Sequence, residues 1–183
     1  RDGCHDKVII SGNDYIDVIE HPSGHEGYET LYAIEYIVPP VEIFSVSEEC
    51  QGLVRSHIFS SFAMFWSNPS AAGNSLRCAL EALMDEKKVQ KRFRTNAGRM
   101  RQLTLDARIR KFRDRAAANK DIGDHLLAIK WIGNAGSHKA NLTREDLIKA
   151  YELTEYAFDE IYEKKSQRLK KMAKHVINNR GPR

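Results

Sequence analysis

The residue types able to do chemistry gather at four places in this 183-residue chain. The first is Ala128 to His138, AIKWIGNAGSH, where Asn134 and His138 stand four residues apart. Leu126, Leu127, Ile129, Trp131 and Ile132 give the stretch an apolar helical line with Trp131 in the core. It runs into Gly133 and Asn134, the residue types that most easily take the left-handed conformation closing a helix. Leu142-Thr143-Arg144-Glu145-Asp146-Leu147 then reads as a fresh helix start, with Thr143 as N-cap, Asp146 answering it, and Leu142 against Leu147 as a hydrophobic staple. Asn134 and His138 therefore occupy a short hinge bracketed by two helices, where Asn134 can satisfy loose backbone groups and His138 can bond the hinge or Glu81.

The second place is Arg77 with Glu81, one helical turn apart, a spacing that suits an ion pair or a phosphate clamp. The third is Cys4 with His5, the one metal-like pair. A zinc site needs four ligands, usually in two close pairs, and no second cysteine pair follows at the required spacing. His21 and His25 lie four apart in a loop. No cofactor is expected, and zinc only with residues outside this chain. The opening Arg1-Asp2-Gly3-Cys4-His5 lacks an initiator Met and is read as a fragment whose N-terminal neighbour is missing.

The fourth place is the basic stretch. Glu86 to Lys120 holds 13 Lys or Arg against three acidic residues, a net +10, so the remainder of this +4 chain carries −6. Lys164 to Arg183 has eight basic residues and no acidic one. Such blocks neutralise phosphates, with strong salt dependence, and Lys91, Arg92, Arg94, Arg99, Arg101 and Arg108 are the candidates for nucleic-acid contact. The alternative reading is a solvated helix face. Phe93 and Phe112 are the only aromatic residues of the first block, which argues against a stacking platform for single strands.

The elements that must position these groups follow from periodicity. With 42% hydrophobic residues the chain suffices for about one domain with a real core. No run approaches the ~20 apolar residues that span a bilayer, and no signal peptide opens the chain. Cys4, Cys50 and Cys78 are too few and scattered for a disulfide framework, which points to a reducing cytoplasm, with Cys50 and Cys78 buried as small apolar residues.

Residues 1–44 alternate β-rich runs (Val8 to Ile10, Tyr15 to Ile19, Leu31 to Val38) with turn signals, and predict a small antiparallel appendage. From Ser47 the period becomes helical. Helices are expected over 47–66, over 74–84 with Leu76, Ala79, Leu80 and Leu83 inward, over 99–118, over 121–132, and from Thr143 onward. Residues 87–96 read as a loop or frayed helix end. The fold class is mainly α: a bundle of about five helices over 45–165, preceded by the β appendage and followed by a basic extension over 166–183.

Three blocks in order, Leu76-Arg77-Cys78-Ala79-Leu80-Glu81-Ala82-Leu83, then Ala128 to His138, then Thr143-Arg144-Glu145-Asp146, resemble the bacterial domain of unknown function 4145. The resemblance runs from about Ser47 to Lys164. Members often carry a cysteine-rich ribbon before the helices, of which Cys4 is what this chain keeps. That family is similar in turn to the HEPN helical domains of bacterial defence and toxin systems. The resemblance implies a HEPN-like bundle, and a homodimer in which the hinge meets its symmetry mate.

Active HEPN ribonucleases use an Arg, often with a polar residue immediately after it, and a His a few residues later. The His moves the proton of a ribose 2′-hydroxyl, the Arg holds the scissile phosphate, and no metal is required. Carried onto this sequence, Asn134 and His138 match the polar residue and the His, while Gly133 stands in the place of the Arg. Lys130, Arg77 and Arg144 are the cations that tertiary structure could bring near. The favoured expectation is a non-catalytic, dimeric interaction module of a defence or restriction-type system, touching RNA or DNA through its basic strip and working with other proteins of that system. The alternative is a metal-independent endoribonuclease built on His138, Asn134 and Arg77.

Overall fold

The computed structural model describes residues 7–20, 24, 26–135 and 142–181. Two strands, β1 (Ile9–Glu20) and β2 (Glu26–Val38), pair antiparallel into one long ribbon with a bulge between Ser11 and Gly12. The three β-rich runs predicted for this region merge into two strands: Gly12-Asn13-Asp14, read as a turn, continues β1 opposite Tyr32 to Ile34. The bulge absorbs the irregularity that the turn residues announced.

The helices follow: α1 (Gly52–Met64), α2 (Pro69–Glu86), a short hairpin of β3 (Arg92–Arg94) with β4 (Met100–Gln102), then α3 (Leu105–Arg113), α4 (Asn119–Ala135) and α5 (Arg144–Phe158). After α5 comes a π-helical turn, Asp159–Glu163, and α6 (Lys165–Asn179). The described residues are thus mainly α, with six α-helices where about five were expected, and with small β parts. The extra helix exists because Lys164 takes a left-handed conformation, φ 51°, that ends the π turn and re-aims the chain.

Local chemistry explains most boundaries. Asn68 caps α2 by accepting from the Ala71 amide at 3.0 Å, with Pro69 in the first turn, where its missing N–H costs nothing. Thr104 caps α3 by accepting from Ala107, Asp106 sits in the first turn and Arg110, Lys111 and Arg113 in the last, as the helix dipole favours. At α5 the expected capping box forms: Thr143 Oγ1 accepts from the Asp146 amide at 3.2 Å, and the Asp146 carboxylate accepts from the Thr143 amide. The region 87–102 departs from expectation. Residues 87–96, read as a loop or frayed helix end, and the first turn of the helix expected from 99 instead supply a hairpin, closed by the Thr95 amide donating to the Arg99 carbonyl at 2.8 Å, and α3 starts only at Leu105.

Helix α4 packs against α2, α3 and α5, and α2 against α1. Ile58, Phe62, Leu76, Leu80, Leu83, Met84, Ile109, Leu126, Ile129, Leu147 and Tyr151 are sealed in the core. Phe44, Phe62, Phe65 and Tyr151 form an aromatic cluster around Tyr151, with ring centroids 5.1 to 6.0 Å apart. Ser61 donates to the Ala72 carbonyl at 2.8 Å, so its one proton is spent and Tyr151 donates to Ser61 Oγ, also at 2.8 Å. Burial pushes the Tyr151 hydroxyl up to about 12, partly offset by Ser61. Cys50 is fully buried as expected, which raises its thiol pKa, whereas Cys78 is half-buried.

Two expectations at the end of α4 are corrected. Gly133 and Asn134 do not terminate the helix: α4 continues through both to Ala135. Gly133 instead lies against α2, where a Cβ would come 2.8 Å from the Gly73 carbonyl oxygen and 3.5 Å from the Arg77 Cβ. Its missing side chain serves close helix approach. Trp131, expected in the core, is 62% exposed, because α4 presents Ile129 and Gly133 inward and rotates Trp131 to the outside.

Candidate nucleic-acid interface

The basic stretch divides into cations turned outward and cations turned inward. Residues 87–101 hold seven Lys or Arg and no acidic residue, most of them on the β3–β4 hairpin. Arg92, Arg94, Arg99 and Arg101 are exposed and join no ion pair among the described residues. Arg94 donates through Nε to the Gly98 carbonyl, bracing the turn and leaving the rest of its guanidinium outside. Register places Arg92 opposite Gln102 and Arg94 opposite Met100, with Phe93 opposite Arg101. Lys91 reaches back to Asp85 at 3.0 Å.

Arg108 behaves differently from the other candidates. It is 3% exposed, and its guanidinium donates to Asp85 Oδ1 at 2.5 Å, to the Val89 carbonyl at 3.2 Å and to the Glu81 carbonyl at 3.4 Å. It ties α3 to the end of α2 and offers no charge to solvent, so as a nucleic-acid contact it is corrected to a structural clamp. Lys130 is likewise buried and donates to Asp106 Oδ1 at 2.8 Å while lying over the Trp131 ring. Hydrogen bonds from Lys130 and then Arg110 hold the Asp106 carboxyl below the usual carboxylate range. For Asp85, burial pushes the other way, but Lys91 and Arg108 outweigh it and the carboxyl is also held low. Neither pair could be found by local spacing, since the partners are 23 and 24 residues apart on different helices.

Arg77 and Glu81 form the predicted ion pair at 3.0 Å, half-exposed. With Gln102, Leu103, Thr104, Leu105 and Arg108 they line a cavity of about 330 Å³ at the base of the hairpin. The structure brings Arg77 alongside Gly133, one residue from Asn134. Arg144 is committed elsewhere: it donates to the Trp66 carbonyl at 2.7 Å and to the Ile34 carbonyl at 3.4 Å, joining α5 to the ribbon. His138, Cys4, His5, His21 and His25 lie outside the described residues. Among the described residues no group of three or more His, Cys, Asp or Glu is placed to hold a metal, and no helix is long and apolar enough to cross a membrane.

The family pattern described as Domain of unknown function (DUF4145) matches residues 59–175. The chain belongs to the DUF4145 family. The match runs from the second half of α1 into α6 and so takes in the basic hairpin, the cavity and the α4–α5 region. The β1–β2 ribbon lies outside it. No curated protein and no solved structure matches the chain.

Proposed function

We propose that this DUF4145 protein is a non-catalytic, dimeric interaction module that holds nucleic acid through the β3–β4 hairpin, as an accessory part of a bacterial defence or restriction-type system. One observation carries the nucleic-acid part: residues 87–101 hold seven basic and no acidic residues, and four of them, Arg92, Arg94, Arg99 and Arg101, stand exposed and outside any ion pair among the described residues on the two-stranded hairpin. Cations on a narrow ribbon can follow a phosphate backbone, and each one that neutralises a phosphate releases a counterion. Phe93, 37% exposed between Arg92 and Arg94, adds one ring at the same place. The non-catalytic part is supported by Gly133. The position where the HEPN motif carries its Arg is pressed against the α2 backbone, and Arg77 beside it is paired with Glu81.

The test is anisotropy of labelled single-stranded RNA and duplex DNA in chelator, between about 50 and 200 mM salt. The parent is expected to bind with affinity falling steeply with salt, and the triple variant Arg92→Ala, Arg99→Ala, Arg101→Ala to flatten the slope by roughly 0.7–0.9 for each phosphate contact removed. Salt-insensitive binding, or a triple variant as tight as the parent, would overturn the reading.

A metal-independent endoribonuclease is the second reading, favoured by one fact: Arg77 stands next to the place of the missing Arg. In that reading His138 moves the 2′-hydroxyl proton, and Arg77, released from Glu81, holds the phosphate. Cleavage of the same RNA in chelator to cyclic phosphate ends by the parent, and not by His138→Ala, would select it over the non-catalytic module.

A further inference from the structure

Two parts of the molecule expose apolar faces that no other described residue covers. The first is the ribbon. Residues directly opposite on paired strands share a face. By register, one face of the ribbon carries Ile16 beside Thr30, Val18 beside Tyr28, and Tyr32 beside Asp14, then Tyr36 beyond the bulge. Ile16 is 70% exposed, and Tyr28 and Tyr32 are each 76% exposed. A two-stranded hairpin is marginal in water without a hydrophobic face to pack on. The second is α6, which has no buried residue and packs, among the described residues, on little beyond the π turn that precedes it. Leu169, Met172 and Val176 recur at i, i+3 and i+7 and line one side of it, all exposed.

The charges of the two parts are opposite. Strands β1 and β2 hold six acidic residues and no Lys or Arg, whereas α6 holds five Lys or Arg and no acidic residue. Ribbon against ribbon, or α6 against α6, would set like charges together. Ribbon against α6 is the only pairing of these faces that is both apolar and complementary. Lengths agree as well: a 15-residue helix is about 22 Å long, and Tyr32 to Glu26 along β2 covers about 20 Å. The ribbon face offers Asp14 at one end and Glu26 at the other, and Arg168 and Lys170 flank the apolar stripe of α6 on either side. Among the described residues of one chain the ribbon and α6 form no packed pair.

We infer that α6 of one copy docks across the Ile16, Val18, Tyr28 and Tyr32 face of the ribbon of a second copy, and that the contact is made twice about a twofold axis. This rests on the dimeric part of the proposed function and names its surface. A reciprocal arrangement is the natural outcome when one chain carries both halves of a contact. Tyrosines bury on the order of 150–250 Å² each. Two such contacts, each with two or three tyrosines and the α6 stripe, surpass the roughly 1,000 Å² that a specific interface needs. The dimer leaves the β3–β4 hairpin outside the contact, so nucleic-acid binding and dimerisation are separable.

The experiment is a charge swap read by sedimentation equilibrium at about 100 mM salt. One variant carries Arg168→Glu with Lys170→Glu, the other Asp14→Lys with Glu26→Lys. The parent is expected to be a dimer. Each variant alone should dimerise at least about 30-fold more weakly, with unchanged circular dichroism, because like charges now meet at both contacts. An equimolar mixture should restore the dimer, since each reversed α6 then faces a reversed ribbon while the two native halves still match. A monomeric parent, variants that dimerise as well as the parent, or a mixture no tighter than its components would each overturn the inference. So would a monomeric parent that binds anionic vesicles through α6. Loss of nucleic-acid binding in the hairpin triple variant, scored separately, leaves this result unaffected.

Discussion

Arg101 and Arg108 lie seven residues apart in the same basic stretch and do opposite things. Arg101 stands on β4 in solvent without a carboxylate partner among the described residues. Arg108 is sealed between α2 and α3 and held by Asp85 and two backbone carbonyls. The same contrast separates Arg92 and Arg99 from Lys130, whose charge is spent on Asp106. Net charge counts all of these alike, but only an unpaired, solvated cation can attract a phosphate, while a buried paired one fixes helices in place. The +10 of the stretch is thus partly a fastener and partly a surface.

The largest break in this contrast comes from adding a cation on the inward side. Gly133→Arg should drive its Cβ into the Gly73 carbonyl and part α4 from α2, at a cost of about 3 kcal/mol or more, seen as a melting temperature lower by roughly 6–12 °C. A variant as stable as the parent would mean that α2 and α4 have room, and the motif position would reopen for catalysis.

Removing an inward cation comes next. Arg108→Ala leaves the Asp85 carboxylate and the Val89 and Glu81 carbonyls without their donor, and is expected to cost about 2–4 kcal/mol in urea unfolding. The matched outward change, Arg101→Ala, should stay within about 0.5 kcal/mol while weakening nucleic-acid binding. Equal stability losses for the two would erase the distinction between fastener and surface.

The smallest effect is on pH. Asp85 and Asp106 titrate below their ordinary value because their partners favour the carboxylate. Their stabilisation is therefore fully present above the unfolded carboxylate pKa, near 4, and is lost as pH falls below it through the depressed folded values. Discounted for the partial exposure of both side chains, Asp106→Asn should reduce the stability change between pH 5 and pH 2.5 by about 1 kcal/mol. An unchanged pH profile would assign the Lys130 contact no energetic role.

Much of the helical fold was legible in the residues. Leu76, Leu80 and Leu83 point inward as their spacing required, the Thr143–Asp146 box starts α5, and Arg77 pairs with Glu81, because all of these depend on neighbours within a turn or two. Glycine was misread. Gly133 looks like a helix terminator from its type, and only the approach of Gly73 from another helix shows it to be a packing contact. Trp131 was assigned to the core on hydrophobicity alone, although the orientation of α4 is decided by α2, α3 and α5 together. The basic stretch announced its charge but not its division, since Asp85 and Arg108 meet across 23 residues of chain.

The sequence by itself determined most of the helices, the Thr143–Asp146 box, the local ion pair, the family resemblance and the sign of each charged block, all of which rest on residue chemistry at short range. Tertiary structure decided which cations remain free among the described residues, why Gly133 carries no side chain, and that no other described residue covers the ribbon face or α6. Those outcomes depend on which surfaces meet in space, and no spacing along the chain records that.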